Sequence, residues 1–258
     1  MPSEVLIKMY DADTRDLLFT FGEAPWKIHG EIDGLNSIQP SFTTTPVASG
    51  YGVVLNGKQL PERTVSFNVV NVQTKDKDTA RSSLTAVIKP GIKEYFLEIT
   101  YGSKTKVLKK CYISDYKINS GKLNDFIRLS ISFMALDPLF YSGSETEFSF
   151  NSGSYTAKIA GNAPVLPTIT LTGASSGDTL KLGKNTITVY NSPKSSVPSS
   201  LTLDIDSIVH QKPTDLSALA YLSFSTDISK MLLEPGDNSV VSTISGVVLK
   251  FYGRSWGI

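Results

Sequence analysis

Two pairs of closely spaced carboxylates come nearest to a catalytic arrangement in this sequence. Glu145 and Glu147 form one pair, and Asp204 and Asp206 form the other. Residues two apart on a strand share a face, so either pair could begin a glycosidase acid pair or a Ca²⁺ site. In SLTLDIDSIV, residues 200–209, the alternating Leu and Ile residues take the inner face. The pattern therefore predicts aspartates in solvent rather than a catalytic pair.

A further carboxylate, Asp137, lies in ISFMALDPLFYSGSE, residues 131–145. It is either a catalytic group beside an aromatic platform or part of a segment where one domain stops. Pro138 has no amide donor and disfavours helix at the residue before it, so the preceding strand must end near Met134. The following YSGSETEF has the composition of a linker. We predict a domain junction at Asp137, Pro138, Phe140 and Tyr141, between residues 1–142 and 143–258.

The remaining reactive side chains are few. His29 and His210 lie in no recognisable nucleophile setting, and a Ser-His-Asp triad stays open only because its members can be distant in sequence. The single cysteine, Cys111, excludes an internal disulfide and is expected as a small buried strand residue. Gly183-Lys184 lacks the glycine spacing of a phosphate-binding loop and is expected in a hairpin turn. The sequence thus offers no catalytic, cofactor or metal site.

Length and composition indicate a globular protein. The chain has 258 residues, 40% hydrophobic and 19% charged, which suits two domains with real cores. Lys and Arg number 25 against 24 Asp and Glu, so no basic stripe is expected for nucleic acid or anionic lipid. Neither a signal peptide nor an apolar run of roughly 20 residues is visible. We expect folding in a reducing cytoplasm, without membrane contact.

Period-two alternation of apolar residues dominates the chain and predicts half-buried antiparallel strands. In the first half it is clearest in RTVSFNVVNV (63–72), YFLEITYG (95–102) and DFIRLSISFM (125–134). The second half is predicted to be β alone, a sandwich of short strands that includes PTITLTG (167–173), NTITVYN (185–191), SLTLDIDSIV and GVVLKFYG (246–253).

One segment has helical periodicity. In DKDTARSSLTAVIKPG, residues 76–91, Ala80, Leu84, Val87 and Ile88 recur at helical spacing. An aspartate can cap the start, and Pro-Gly ends the helix. A short helix with one apolar stripe is expected to pack on a sheet.

The stretch GLNSIQPSFTTTPVASGYGVVLNGKQLPERTV, residues 34–65, has little to bury against its own domain. Loops of this length are uncommon in compact domains. It is either a disordered surface loop or an arm that becomes ordered by pairing with a neighbouring subunit, with Asn-Gly as a hairpin-turn signal. The arm residues are predicted to be Phe42, Pro46, Tyr51, Val53, Leu55, Asn56 and Gly57.

The order of these features resembles the distal tail proteins of long-tailed bacteriophages. The resemblance rests on a polar hairpin arm followed by RTVSFNVV, VIKPG, DPLFYSG, GNAPVLPTITLTG, LTLDID, LLEPGDNSV and VVLKFYGRSWG. It covers nearly the whole chain, and its specificity lies in the order and spacing of motifs that are individually weak.

The resemblance implies a mainly β structural protein of the virion tail tip, without catalytic activity or cofactor. Such proteins form a homohexameric ring from a tail-tube-like N-terminal domain with one helix, and carry a C-terminal galectin-like β-sandwich. By position, residues 41–63 would be a belt around the neighbouring subunit, residues 76–89 the helix, residues 137–141 the end of the ring domain and residues 161–258 most of the outer domain. The implied partners are the tail tube protein, a tail-associated hub protein and receptor-binding or baseplate proteins.

Three other functions stay open at this point. The outer sandwich could be a carbohydrate-binding module for host attachment, although the second half shows no cluster of His, Asn, Arg and Trp that would hold a sugar. A cell-wall hydrolase would need Asp204 as a catalytic group. The tail tube protein itself could share the first domain. It is also open whether Gly253–Ile258 closes the first domain or the second.

Overall fold

The computed structural model describes residues 5–36, 38, 40–46, 53–71, 77–120, 126–191, 196–209, 215–225 and 227–258. The fold is mainly β, which confirms the prediction from the alternating pattern. The chain divides into two compact units, Met1–Gly143 with Ser255–Ile258, and Ser144–Arg254.

The first unit contains nine strands and one helix among its described residues. They are β1 (Val5–Asp11), β2 (Leu17–Phe21), β3 (Trp26–Asp33), β4 (Ser41–Pro46), β5 (Val53–Gln59), β6 (Arg63–Asn71), α1 (Lys77–Val87), β7 (Tyr95–Tyr101), β8 (Lys104–Ser120) and β9 (Ile127–Ala135). The start of β10 (Phe140–Phe150) belongs to the same unit.

Strand β8 joins two antiparallel layers in this unit. Its first half pairs with β7 and β10, giving the order β10-β8-β7-β1-β2, and its second half pairs with β9 and continues to β6 and β3. The strand changes partners near Lys110, which has a positive φ of 52° and whose carbonyl accepts the Leu136 N–H at 3.1 Å. The residues predicted inward, such as Val65, Phe67 and Leu129, are buried between the layers.

Helix α1 covers one end of this core, and its predicted position is confirmed. Leu84 and Ile88 are buried in the same cluster as the strand residues. The Tyr95 hydroxyl, at the start of β7, donates to the Val87 carbonyl at 2.9 Å and accepts the Lys89 N–H at 2.9 Å. Burial raises the pKa of Tyr95, so this hydroxyl keeps its proton at neutral pH.

The second unit is built from two antiparallel sheets around its own core. One has the order β15-β12-β18-β10 and the other β11-β17-β13-β14-β16. The strands are β11 (Gly153–Ile159), β12 (Thr168–Thr172), β13 (Thr179–Leu182), β14 (Asn185–Val189), β15 (Ser200–Asp204), β16 (Leu222–Phe224), β17 (Gly236–Ser242) and β18 (Gly246–Ser255).

The prediction that the second half is β alone is wrong. SLTLDIDSIV is a strand only as far as Asp204, and helix α2 (Ile205–Val209) follows. The Asp204 carboxylate accepts the Ser207 N–H at 3.0 Å and the Ser207 hydroxyl at 2.5 Å, which is the N-capping arrangement that favours a helix start over a continued strand. Two 3₁₀ turns, Ser217–Tyr221 and Ile228–Lys230, also lie in this unit.

The predicted linker YSGSETEF is also wrong, because it lies within the 11-residue strand β10. Phe148 packs its ring on Phe251 with 5.8 Å between centroids, and Glu147 pairs with Lys250 at 3.2 Å. These contacts to β18 outweigh the local preference of Ser and Gly for loops. The division between the two units therefore falls inside a strand, at Gly143.

Candidate assembly surfaces

The predicted arm is a two-stranded antiparallel ribbon, β4 with β5, that forms a sheet of its own. Its register runs from Ser41 opposite Gln59 to Pro46 opposite Val53. Tyr51, which was also predicted to belong to the arm, lies outside the described residues. A lone two-stranded hairpin is at best marginally stable in water, so this ribbon gains little from its own contacts.

The Asn-Gly hairpin turn is predicted wrongly, because Asn56 and Gly57 lie within β5. Thr43 pairs with Gly57 and Thr44 with Leu55, so Asn56 is the extra residue of a β-bulge. The Asn56 side-chain amide donates to the Thr45 hydroxyl across the ribbon. Pairing on both sides of the bulge holds this Asn-Gly in the strand despite its turn preference.

The arm presents apolar side chains to solvent. Phe42 on β4 is 55% exposed and Leu55 on β5 is 56% exposed. Threonines 43, 44 and 45 are exposed as well, although consecutive strand residues point to opposite faces. Neither face of this ribbon is therefore packed against the first unit at these positions.

Arg63 anchors the base of the arm, although it ended the predicted belt. It is only 2% exposed and begins β6 opposite Ala135. Its guanidinium donates to four main-chain carbonyls, those of Pro138 (2.7 Å), Gly34 (2.5 Å), Asn36 (2.6 Å) and Trp256 (2.5 Å). It also stacks over the Phe140 ring at 4.5 Å.

This guanidinium is charged although it is buried. Burial lowers its pKa to about 10, which still leaves Arg63 protonated at neutral pH. Charge-assisted bonds to carbonyls offset part of the desolvation. Sequence reasoning missed this residue, but the signal was available, because Arg63 has the same strand parity as the buried Val65 and Phe67.

The chain enters the arm through a residue that must be glycine. Gly34 has a φ of +83°, and a Cβ there would lie 1.9 Å from the Thr64 carbonyl oxygen. Close by, the Ile258 N–H donates to the Leu35 carbonyl at 3.2 Å. Residues 255–258 thus belong to the first unit, while β18 pairs with β12 of the second through Gly246–Lys250.

The predicted junction residues stabilise a turn. The Asp137 carboxylate accepts the Leu139 N–H at 3.2 Å and the Tyr141 hydroxyl. The Lys109 ammonium lies over the Tyr141 ring at 4.2 Å from its centroid. Pro138 and Phe140 contact Arg63 as described above. With both its oxygens accepting local hydrogen bonds, Asp137 has the environment of a turn-stabilising residue rather than of a general acid or base.

A cleft of about 830 Å³ opens on the first unit beside β3. Five aliphatic residues, all partly exposed and packed on the core cluster, contribute to its floor, and polar groups contribute about as much of the lining surface as apolar ones; the five are Val5, Ile28, Ile32, Leu35 and Ile258. Its rim includes Lys27, His29, Glu31 and Tyr101. We name it the open-end cleft, because Tyr101 ends β7 at the opposite end from Tyr95, which contacts α1.

The paired carboxylates are not arranged for catalysis. The Lys250 ammonium, followed by the Ser149 hydroxyl, lowers the pKa of Glu147, which favours a carboxylate over the protonated form that a general acid needs. Asp204 caps α2, and the side chain of Asp206 lies outside the described set. Within the described residues, no group of three His, Cys, Asp or Glu side chains is placed to hold a metal ion.

The other chemically capable residues have structural positions. Cys111 is fully buried in β8, as predicted, and burial raises the pKa of its thiol. Gly183 lies in the β13–β14 turn with a φ of +59°, which confirms the hairpin prediction. His29 is an exposed strand residue, whereas His210 is outside the described residues. None of the described helices is long and apolar enough to cross a membrane.

The outward face of the five-stranded sheet in the second unit carries mostly polar side chains, both short and charged. Thr156, Ser239, Thr186 and Thr188 point outward, since their neighbours along each strand are buried in the core. Val241 is also on this face and is 37% exposed.

Comparison with known proteins gives a fold but no family. No protein-family model matches the sequence, and a search of curated proteins finds no match either. The solved Dit protein of SPP1, described as a paradigm of the hub adsorption apparatus in Gram-positive infecting phages, has a TM-score of 0.64 and 14% identity. That alignment covers 96% of this chain and 98% of the Dit chain.

Two structures of the phage P2 baseplate in its activated conformation also match. The one with Sr has a TM-score of 0.50 and the one with Ca 0.49, each at 10% identity over 98% of this chain and 99% of the other. At such identities the likeness to the Dit structure and to the baseplate structure with Sr shows a shared fold alone.

Proposed function

We propose that this chain is a structural subunit of a bacteriophage tail tip, forming a homohexameric ring that joins the tail tube to the adsorption apparatus. The observation that carries the proposal is the arm, a ribbon with exposed Phe42 and Leu55 whose two strands pair only with each other among the described residues. The resemblance in the order of sequence motifs and the fold shared with SPP1 Dit over nearly the whole chain support it.

The mechanism is geometric rather than chemical. An arm that docks on the next subunit makes a head-to-tail contact, and such a contact gives a closed ring when its rotation closes. Backbone pairing can supply affinity without a large apolar surface on the free subunit. The near-balance of 25 basic and 24 acidic residues avoids strong repulsion among identical copies.

The two parts of the chain have different roles in this proposal. Residues 1–142 form the ring and belt, and residues 143–258 form an outer galectin-like sandwich that holds or flanks receptor-binding or baseplate proteins. One face of the ring continues the tail tube, and the opposite face receives the tail-associated hub protein. Residues Asp137–Tyr141 form the junction between the two parts. The protein acts in the virion tail tip without catalysis.

The mass of the purified protein, measured by light scattering with negative-stain images of the same peak, tests the ring. We expect six copies arranged around a central hole. A monomer that stays monomeric when mixed with tail tube and hub proteins would overturn the proposal and leave a free carbohydrate-binding module as the better explanation.

A further inference from the structure

The core of the first unit is sealed at one end and open at the other. At the sealed end, Leu84 of α1 and Ile88, the residue after α1, are buried in the core cluster. At the other end, the open-end cleft exposes part of an aliphatic floor that belongs to the same core cluster. Each apolar group left in contact with water forgoes the roughly 25 cal/mol per Å² that burial would provide. This end of the core would be stabilised by a covering segment.

Strand β3 leaves its ladder at this cleft. His29 pairs with Asn68 and Asp33 with Ser66, so residues 30–32 face the single residue Phe67 and lie outside the regular β3–β6 ladder. Gly30 is exposed, with a φ of +84° and open space where a Cβ would stand. Bulges of this kind free backbone groups and bend a strand away from its sheet, which leaves room for another strand to approach.

The arm has the chemistry to cover such a floor. Its two strands read SFTTTP and VVLNGKQ, with Lys58 as their sole charged residue. Phe42 and Leu55 are each more than half exposed on it. The cleft combines aliphatic floor residues with a rim of mixed charge, so a ribbon with a single charged side chain meets no strong repelling field there.

We propose that the open-end cleft of one copy receives the arm of the neighbouring copy, whose Phe42 and Leu55 cover the aliphatic floor. This inference rests on the proposed ring and identifies its acceptor surface. Leu35 and Asn36 line the cleft and precede β4 by a few residues, so each arm docks near the base of the next arm. The contact is head-to-tail, and a succession of such contacts forms a continuous belt.

Complementation between two defective variants tests this directly. Phe42→Asp damages the arm but leaves the cleft intact, whereas Tyr101→Asp damages the cleft but leaves the arm intact. Tyr101 is 46% exposed, so its replacement should leave folding undisturbed. We expect each variant alone to be monomeric and their mixture to form one-to-one dimers that grow no further, because only one intact contact is possible per pair.

A matched control uses Ile92→Asp, since Ile92 is 86% exposed and follows α1 at the sealed end. This variant should form rings as the wild type does. Rings formed by Tyr101→Asp, or a mixture that stays monomeric, would overturn the cleft assignment while leaving the ring itself intact. A wild type that forms no ring with its tail partners would instead overturn the proposed function.

Cysteine cross-linking gives a second, independent test, in which the arm and the cleft are otherwise unchanged. Cys111 is fully buried, so introduced cysteines on the surface are the reactive ones. Leu55→Cys combined with Glu31→Cys should give a ladder of covalent oligomers on oxidation, and either substitution alone should not. Absence of the ladder in preparations that form rings would contradict the proposed docking position.

Discussion

At the scale of single residues, Arg63 connects several segments of the first unit. It ties the entry to the arm, the turn after β9 and the segment 255–258 to the start of β6 through four carbonyls. Hydrogen bonds to a buried charged group contribute more than neutral ones, and unpaired buried carbonyls are costly. The base of the arm is therefore fixed within a rigid core, whereas the arm beyond it is not.

Replacing this arginine should strongly destabilise the first unit. In Arg63→Met the four carbonyls lose their donor, and we expect the free energy of unfolding to fall by about 3 kcal/mol or more. Urea titration followed by tryptophan fluorescence measures it. Arg128→Met removes an exposed arginine on β9 and serves as the control. A loss no larger than that of the control would contradict the anchoring role.

Asn238 has a comparable position in the second unit. Its side-chain amide donates to the Glu234 carbonyl at 2.7 Å and the Gly236 carbonyl at 3.1 Å, and its oxygen accepts the Glu234 N–H at 3.0 Å. Asn238→Asp keeps the shape but replaces both donors by a charge facing carbonyls. We expect a loss of about 2 kcal/mol by thermal denaturation, with the exposed Asp237→Asn near neutral.

At the scale of elements, an ion pair ties β1 to the turn after α1. The Lys93 ammonium contacts the Asp11 carboxylate, which also accepts the Asp13 and Thr14 N–H groups. Lys93, followed by these backbone donors, lowers the pKa of Asp11. The same contact raises the pKa of Lys93.

The pH dependence follows from these directions. Because folding lowers the pKa of Asp11, its stabilisation is fully present above the unfolded value of about 3.9 and is lost as the pH falls through the lower folded value. We expect Asp11→Asn to be less stable than wild type at neutral pH and the difference to shrink in acid. Urea midpoints across the acid range measure this, with the exposed Asp115→Asn as control. A difference independent of pH would contradict the ion-pair explanation.

The arm should be separable from the fold that carries it. Replacing residues 41–59 with a short Gly-Ser linker removes a ribbon that forms its own sheet, so the unfolding temperature should change by only a few degrees. The same variant should be monomeric by light scattering. A large drop in unfolding temperature would show that the arm stabilises its own subunit rather than a neighbour.

At the scale of the whole molecule, the end of the described chain belongs to the first unit although β18 precedes it. The Trp256 carbonyl accepts from Arg63, and the Ile258 N–H bonds the Leu35 carbonyl. Removing residues 256–258 should therefore speed hydrogen exchange in β6 and in residues 34–36. If the truncation speeds hydrogen exchange only in β12 and β15 of the second unit, the assignment is contradicted.

Prediction from the sequence succeeded where burial follows a local period. Val65, Phe67 and Val69 are inward on β6 as their alternation requires, and α1 lies where the apolar residues repeat at helical spacing. Prediction failed where the secondary structure depends on a residue far away in the chain or on the hydrogen bonds of one side chain. Phe148 in β10 packs on Phe251, and the Asp204 cap starts α2, against the linker and strand predicted there.

The sequence alone determined the mainly β class, the helix, the buried Cys111 and a stretch, residues 34–65, with little to bury against its own domain, because each depends on the periodicity or composition of neighbouring residues. The tertiary structure decided the bulge at Asn56, the carbonyls gathered around Arg63, the open-end cleft and the strand that runs from one unit into the next. These features depend on contacts between residues far apart in the chain, whose free energies exceed local preferences of a fraction of a kcal/mol to about 1 kcal/mol.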